Sequence, residues 1–95
     1  MEKQMYNKGH IRKVKDIMAR VMELNNKADR DTFYVFEFTG AVNGVSLAKY
    51  HDAGTELETL IHEYAYFGRP RTLHPISVIE KIIAEEERKQ KEEQK

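Results

Sequence analysis

The chain has 95 residues, and its 16 basic and 16 acidic side chains give a formal net charge of zero. With 40% hydrophobic and 34% charged residues and a mean hydropathy of -0.73, it reads as one small globular domain with a heavily charged surface. The absence of cysteine excludes disulfides, thiolate chemistry and cysteine-type zinc sites. No apolar run approaches the ~18 residues needed to cross a membrane, and no secretory leader pattern occurs, so a reducing cytoplasm is the expected setting.

The charge is unevenly spread. Residues 1–27 carry seven basic against three acidic side chains, residues 28–77 four against seven, and residues 78–95 five against six. The first element is a helix over residues 9–27, with Ile11, Val14, Ile17, Met18, Val21, Met22 and Leu24 at steps of three and four on one stripe. Its cations, Arg12, Lys13 and Arg20 among them, form a candidate anion-facing surface, although a solvated helix face has the same pattern. Asn25, Asn26 and Asp29 close the helix by competing for backbone hydrogen bonds.

A β-hairpin follows. Thr32 to Phe38 is dense in β-branched and aromatic residues, and Asn43-Gly44 is the favoured central pair of a type I′ turn. That turn sets Val42 opposite Val45, Gly40 opposite Leu47, Phe38 opposite Lys49 and Phe36 opposite His51. One face then holds Tyr34, Phe36, Phe38, Val42, Val45 and Leu47, which is the core face. The other holds Phe33, Val35, Glu37, Thr39, Ala41, Ser46, Ala48 and Tyr50, and is less polar than a fully solvated face.

Residues 55–67 read two ways. Leu57, Leu60, Ile61, Tyr64 and Phe67 have helical spacing, with Thr55 and Glu58 as a capping box and Gly68 past the end. The richness of residues 59–67 in Thr, Ile, Tyr and Phe suits a strand, and a third strand would stabilise a hairpin that is marginal alone. The strand over 60–67 is favoured. Arg69-Pro70-Arg71 breaks regular structure, and Pro75 suits the first turn of a last helix bearing Ile76, Val78, Ile79, Ile82 and Ile83. Its apolar stripe stops at Ala84. Residues 85–95 contain no apolar side chain, which sets a domain over 1–84 and a charged, solvated helical tail over 85–95, with Glu85–Lys89 and Glu87–Lys91 as i,i+4 pairs.

The run Phe36, Phe38, Thr39, Gly40, Val42, Asn43, Val45, Leu47 and Tyr50 resembles the hairpin of small phage and prophage proteins of Gram-positive bacteria, which reads F-x-F-S-G-H-V-N before an alternating strand. Thr39 stands for the serine and Ala41 for the histidine, so no role of that histidine carries over. The resemblance covers about fifteen residues, implies a third strand, an apolar-striped C-terminal helix and a phage or mobile-element setting, and implies no activity.

Chemistry-bearing patterns are sparse. The histidines 10, 51, 62 and 74 have no i,i+3 or i,i+4 spacing, and only a spatial meeting of His51, Asp52 and His62 would make a ligand set. Neither Ser46 nor Ser77 sits in a nucleophile elbow, and no phosphate-binding glycine loop occurs, so no catalytic residue, cofactor or metal is expected. The best polar constellation is Tyr64, Tyr66, Arg69 and Arg71: aromatics beside arginines stack on bases and grip phosphates, and equally anchor protein interfaces. The expected fold is α+β, with an N-terminal helix, an antiparallel hairpin or three-stranded meander, and a long C-terminal helix, both helices on the Tyr34/Phe36/Phe38/Leu47 face. The expected role is a non-catalytic binding or adaptor protein, forming a homodimer through Phe33, Val35, Ala48 and Tyr50 and meeting a host or phage protein. Nucleic-acid binding through the first helix and Arg69/Arg71 is the alternative, disfavoured by a pI of 6.9, and a small hydrolase or metal protein ranks last.

Overall fold

The computed structural model describes residues 8–40, 43–67 and 75–93. Helix α1 spans Lys8–Lys27, strand β1 Thr32–Thr39, β2 Gly44–Asp52 and β3 Leu57–Tyr66, and helix α2 Ile76–Glu93. The strands form one antiparallel sheet in the order β1-β2-β3. The arrangement is α+β, and the ambiguous segment is the third strand of the meander: pairing with β2 over residues 57–66 satisfies its backbone, and the capped helix beginning at Thr55 does not form.

Within the hairpin, Phe36 stands opposite Leu47, Phe38 opposite Val45 and Thr39 opposite Gly44. The expected register, with Phe36 opposite His51 and Gly40 opposite Leu47, is displaced by four residues. The connection is not a two-residue type I′ turn. Asn43 adopts a left-handed backbone, with φ 53°, its N–H reaches the Gly40 carbonyl at 3.3 Å, and Gly44 already belongs to β2. Glycine at 44 answers a tertiary need, since a Cβ there would lie 2.9 Å from the Ala65 carbonyl oxygen and 3.0 Å from the Tyr66 ring. Ala41 and Val42, the latter expected opposite Val45, lie outside the described residues. Four is an even number, so every strand side chain keeps its expected face despite the slip.

Both helices lie on the Tyr34/Leu47 face. Ile17, Val21 and Leu24 of α1 and Ile79 and Ile83 of α2 close over Tyr34, Val45, Leu47 and Ala65, with Phe67 beside them. Their spacing is the physical cause: 17, 21 and 24 share one helical face, as do 79 and 83. A bulge between Lys49 and Tyr50 makes Leu60 the extra residue of β3, because Lys49 faces Ile61 while Tyr50 faces Thr59.

The expected solvated tail from residue 85 requires correction. Helix α2 runs on to Glu93 and stays against the body after its apolar stripe ends. Glu86 is 2% exposed, Glu87 pairs with Arg20, and the Gln90 amide donates at 2.9 Å to the Leu24 carbonyl, which also accepts the Ala28 N–H. The exposed ion-pair ladder beyond is built on Arg88, which reaches Glu85 and Glu92.

Two stability outcomes are expected. Leu47→Ala, at a site with no exposure, costs about 2–5 kcal/mol in chemical denaturation. A chain ended after Glu85 loses the contacts of Glu86, Glu87 and Gln90 and melts well below the full chain, whereas one ended after Lys91 melts within a few degrees of it, because only exposed pairs are removed.

Candidate interaction surface

The helix-covered side of the sheet holds a buried charge cluster. Lys49 lies on the core face, between Tyr34 on β1 and Ile61 on β3. A lone ammonium there demands a counter-charge, and Glu86 supplies it from α2. One Glu86 carboxylate oxygen accepts from Lys49 Nζ at 2.6 Å and from the Tyr34 hydroxyl at 2.9 Å, while the other lies 3.3 Å from Lys89 Nζ. The Lys49 ammonium also stands 5.5 Å from the centre of the Tyr34 ring. Burial pulls the Glu86 carboxyl upward, but the bonds from Lys49 and Tyr34 outweigh it and hold the group below the usual carboxylate range. Burial and the hydrogen bond to Glu86 push the Tyr34 phenol far above its ordinary value.

The cations expected to form an anion-facing surface are differently employed. The Arg20 guanidinium forks onto Glu87 at 2.5 and 3.1 Å, which raises the arginine and lowers the glutamate, and Lys13 meets Glu80 at 3.5 Å. Both fasten α1 to α2. Arg12 is exposed on α1, a layer away from Tyr64 and Tyr66, so the structure does not bring the helix cations and these tyrosines together. Arg69 and Arg71 lie outside the described residues. His51 is on the helix side, 3.4 Å from the Thr32 hydroxyl, whereas His62 is on the opposite face, 4.8 Å from the Tyr64 ring, so His51 and His62 do not converge as ligands. No group of three metal-ligating side chains occurs among the described residues.

The other face of the sheet is covered by neither α1 nor α2. On β1 and β2 it carries Phe33 and Tyr50, rings 5.4 Å apart, with Val35 opposite Ala48. On β3 it carries His62, Tyr64 and Tyr66, which the hairpin alone could not reveal. Phe33 is 38% and Tyr64 47% exposed, and Val35, Tyr50 and Tyr66 are half-buried. Ala48 is only 5% exposed, between Val35 and His62, so it forms the floor of this surface and not its contact layer. The result is a central column of small residues, Gly44, Ser46 and Ala48, flanked on β3 by His62, Tyr64 and Tyr66 and on β1 by Val35, Glu37 and Thr39, with the Phe33/Tyr50 ring pair at one end.

The two edges of the sheet are treated unequally. Asn25, in the last turns of α1, donates from its amide to the Tyr34 carbonyl at 3.0 Å and accepts the Tyr34 N–H at 2.7 Å, pairing with β1 as another strand would. On β3, Tyr66 bridges to Pro75, and below it no chain pairs with the outer side among the described residues.

Comparison of the chain with protein-family models, with curated proteins and with solved structures gives no match.

The Glu86 cluster sets a pH dependence. A carboxyl lowered in the folded state stabilises fully above the ordinary glutamate value of about 4.3, and that stability is lost as pH falls through the lower folded value. Glu86→Gln should cost about 2–3 kcal/mol near neutral pH, below the range for a fully buried pair because Lys49 retains some water. The gap between variant and wild type should narrow as denaturation is repeated at successively lower pH below 4.5.

Proposed function

We propose that this chain is a non-catalytic binding module whose working surface is the helix-free sheet face, and that a second copy of the chain is its first partner. The observation that carries the reading is that both helices cover one face and leave Phe33, Val35, Tyr50 and Tyr64 to water on the other. Exposed apolar surface of this kind marks association sites. Self-association suits this face in shape and charge. The half-exposed aromatics Phe33, Tyr50 and Tyr64 supply self-complementary apolar contact, and Glu37 and Asp52 at the margins are the only ionised strand residues on this face. The apolar stripe Ile11, Met18 and Met22 on α1 is also exposed, but Lys8, Arg12 and Lys15 flank it and would repel a second α1.

A non-catalytic role is supported by how the buried Glu86, Tyr34 and Lys49 are used: their polar atoms are spent on one another, joining three elements. The nucleic-acid reading draws on the same aromatic face, since sheet aromatics can stack on bases. It lacks a phosphate grip, because Lys49, the only cation in the three strands, points to the helices. From the resemblance of the hairpin we infer a phage or prophage setting in a bacterial cytoplasm, with a host or phage protein as a further partner.

Sedimentation equilibrium at micromolar concentration should give twice 11.2 kDa. Val35→Arg should return it to the monomer, because it sets an unpaired charge in the interface, while Met22→Lys on α1 should leave the mass unchanged. A mass near 11.2 kDa at every concentration rejects the dimer.

A further inference from the structure

We propose that the outer edge of β3 accepts an added strand, an extended segment of another protein that carries an apolar residue flanked by lysine or arginine. The backbone dictates the extended form. The Tyr34 N–H and carbonyl turn away from β2 towards Asn25, which fixes the alternation across the sheet. Val45, Leu47 and Lys49 therefore direct their peptide groups at β3, where they meet Ala65, Glu63 and Ile61. His62 and Tyr64 direct theirs outward, and Tyr66, of the same parity, bridges to Pro75. Among the described residues no strand takes the outward groups of His62 and Tyr64, and such a row of N–H and carbonyl groups is a template for one more strand.

Edges not meant for pairing are usually blunted by charged side chains, above all lysine, by proline, by bulges or by brevity. The ten residues of β3 contain no lysine, arginine or proline; its bulge at Leu60 lies below the outward groups of His62 and Tyr64, and its charged side chains, Glu58 and Glu63, are both acidic and so select against an acidic strand. The opposite edge, by contrast, is closed at Tyr34 by Asn25.

The side chains specify the occupant. Beside the edge on the helix side runs a shallow groove of about 300 Å³, with Ile61 on β3 and Ile82 on α2 forming its apolar floor. Of the charged groups that line it from α2, Lys89 is engaged by Glu86 and Glu85 by Arg88, and Lys81 lines it as well. On the strand, Glu58 shares the helix-side row with Ile61, and Glu63 lies further along it. The open-face row is Leu57, Thr59, His62 and Tyr64. An added strand thus places an apolar side chain against Ile61 and Ile82, a cation opposite Glu58, and β-branched or aromatic residues on the open side. A second β3 is a poor occupant, because it offers Glu58 only neutral residues and further glutamates.

The test uses the full chain, isotope-labelled, titrated with the synthetic heptapeptide Thr-Lys-Thr-Val-Tyr-Lys-Thr capped at both ends. Saturable amide shifts confined to residues 57–64 and 81–85 are expected. Replacing both peptide lysines by glutamate should weaken binding at least tenfold, and N-methylation of alternate peptide nitrogens should abolish it. His62→Pro removes an outward N–H that no strand among the described residues uses and should also abolish binding while the rest of the spectrum stays folded. Absence of saturable shifts overturns the proposal, as does equal binding of the glutamate peptide or a response centred on Phe33 and Tyr50. If the free chain is a dimer that survives Val35→Arg and dissociates with His62→Pro, the edge belongs to a second copy and the proposal fails. A dimer that behaves in the opposite way leaves the edge proposal standing by itself.

Discussion

The Glu86 carboxylate is the fixed point of this molecule. It gathers the Tyr34 hydroxyl from β1, the Lys49 ammonium from β2 and the Lys89 ammonium from its own helix. Hydrophobic burial alone would leave the position of α2 loosely defined, because its apolar stripe spans only about two turns and apolar contacts are non-directional. A buried ion pair adds little net stability, since desolvation consumes most of the Coulombic gain, but it penalises every arrangement in which the charges do not meet. Sliding α2 by one turn would separate Glu86 from Lys49 and leave a charge under the sheet without a partner. Arg20 with Glu87, and Gln90 with the Leu24 carbonyl, then join the second half of α2 to α1. The polar half of the helix is thereby placed by directional bonds and the apolar half by packing.

That attachment makes the fold one-sided. With both helices held over the Tyr34/Leu47 face, every apolar side chain of opposite strand parity is left on the uncovered face, and the meander adds the β3 aromatics to those of the hairpin. A helix with its own counter-charge on that face would have closed it. The core is small, with Ile17, Leu24, Leu47, Ile79 and Ile83 as its largest fully buried side chains. A domain of this size gains from further burial, so association and folding draw on the same apolar surface.

Much of this order is legible in the sequence, and what is hidden is hidden for physical reasons. The 3.6-residue spacing of Ile17, Val21 and Leu24 identifies α1, and strand alternation separates the two faces of the hairpin. Alternation carries parity and not register, so a four-residue slip leaves the face pattern intact while changing every cross-strand pair. Asn43-Gly44 points to a tight turn, yet Gly44 is required because the Tyr66 ring and the Ala65 carbonyl come against it from β3, a neighbour no local window contains. Residues 85–93 read as solvated because their partners are distant: Tyr34 is 52 residues from Glu86, and Lys49 is 37. Two signals do point to Glu86. Lys49 has core-face parity and needs a carboxylate, and Ile79, Ile83, Glu86 and Gln90 continue one helical stripe with polar residues in place of apolar ones.

The closure of the β1 edge rests on a single amide nitrogen. Asn25 matches a strand only because its side chain is a donor and an acceptor at once, meeting the carbonyl and the N–H of Tyr34 in the same plane. Exchange of that amide for a carboxylate, as in Asn25→Asp, keeps the acceptor but sets a negative oxygen against the Tyr34 carbonyl. The lock becomes a repulsion without any change of shape or volume. The integrity of this edge at Tyr34 is therefore a matter of one side chain's chemistry as well as of folding, and a molecule without that amide would present the Tyr34 peptide groups at the β1 edge in addition to those of His62 and Tyr64 on β3.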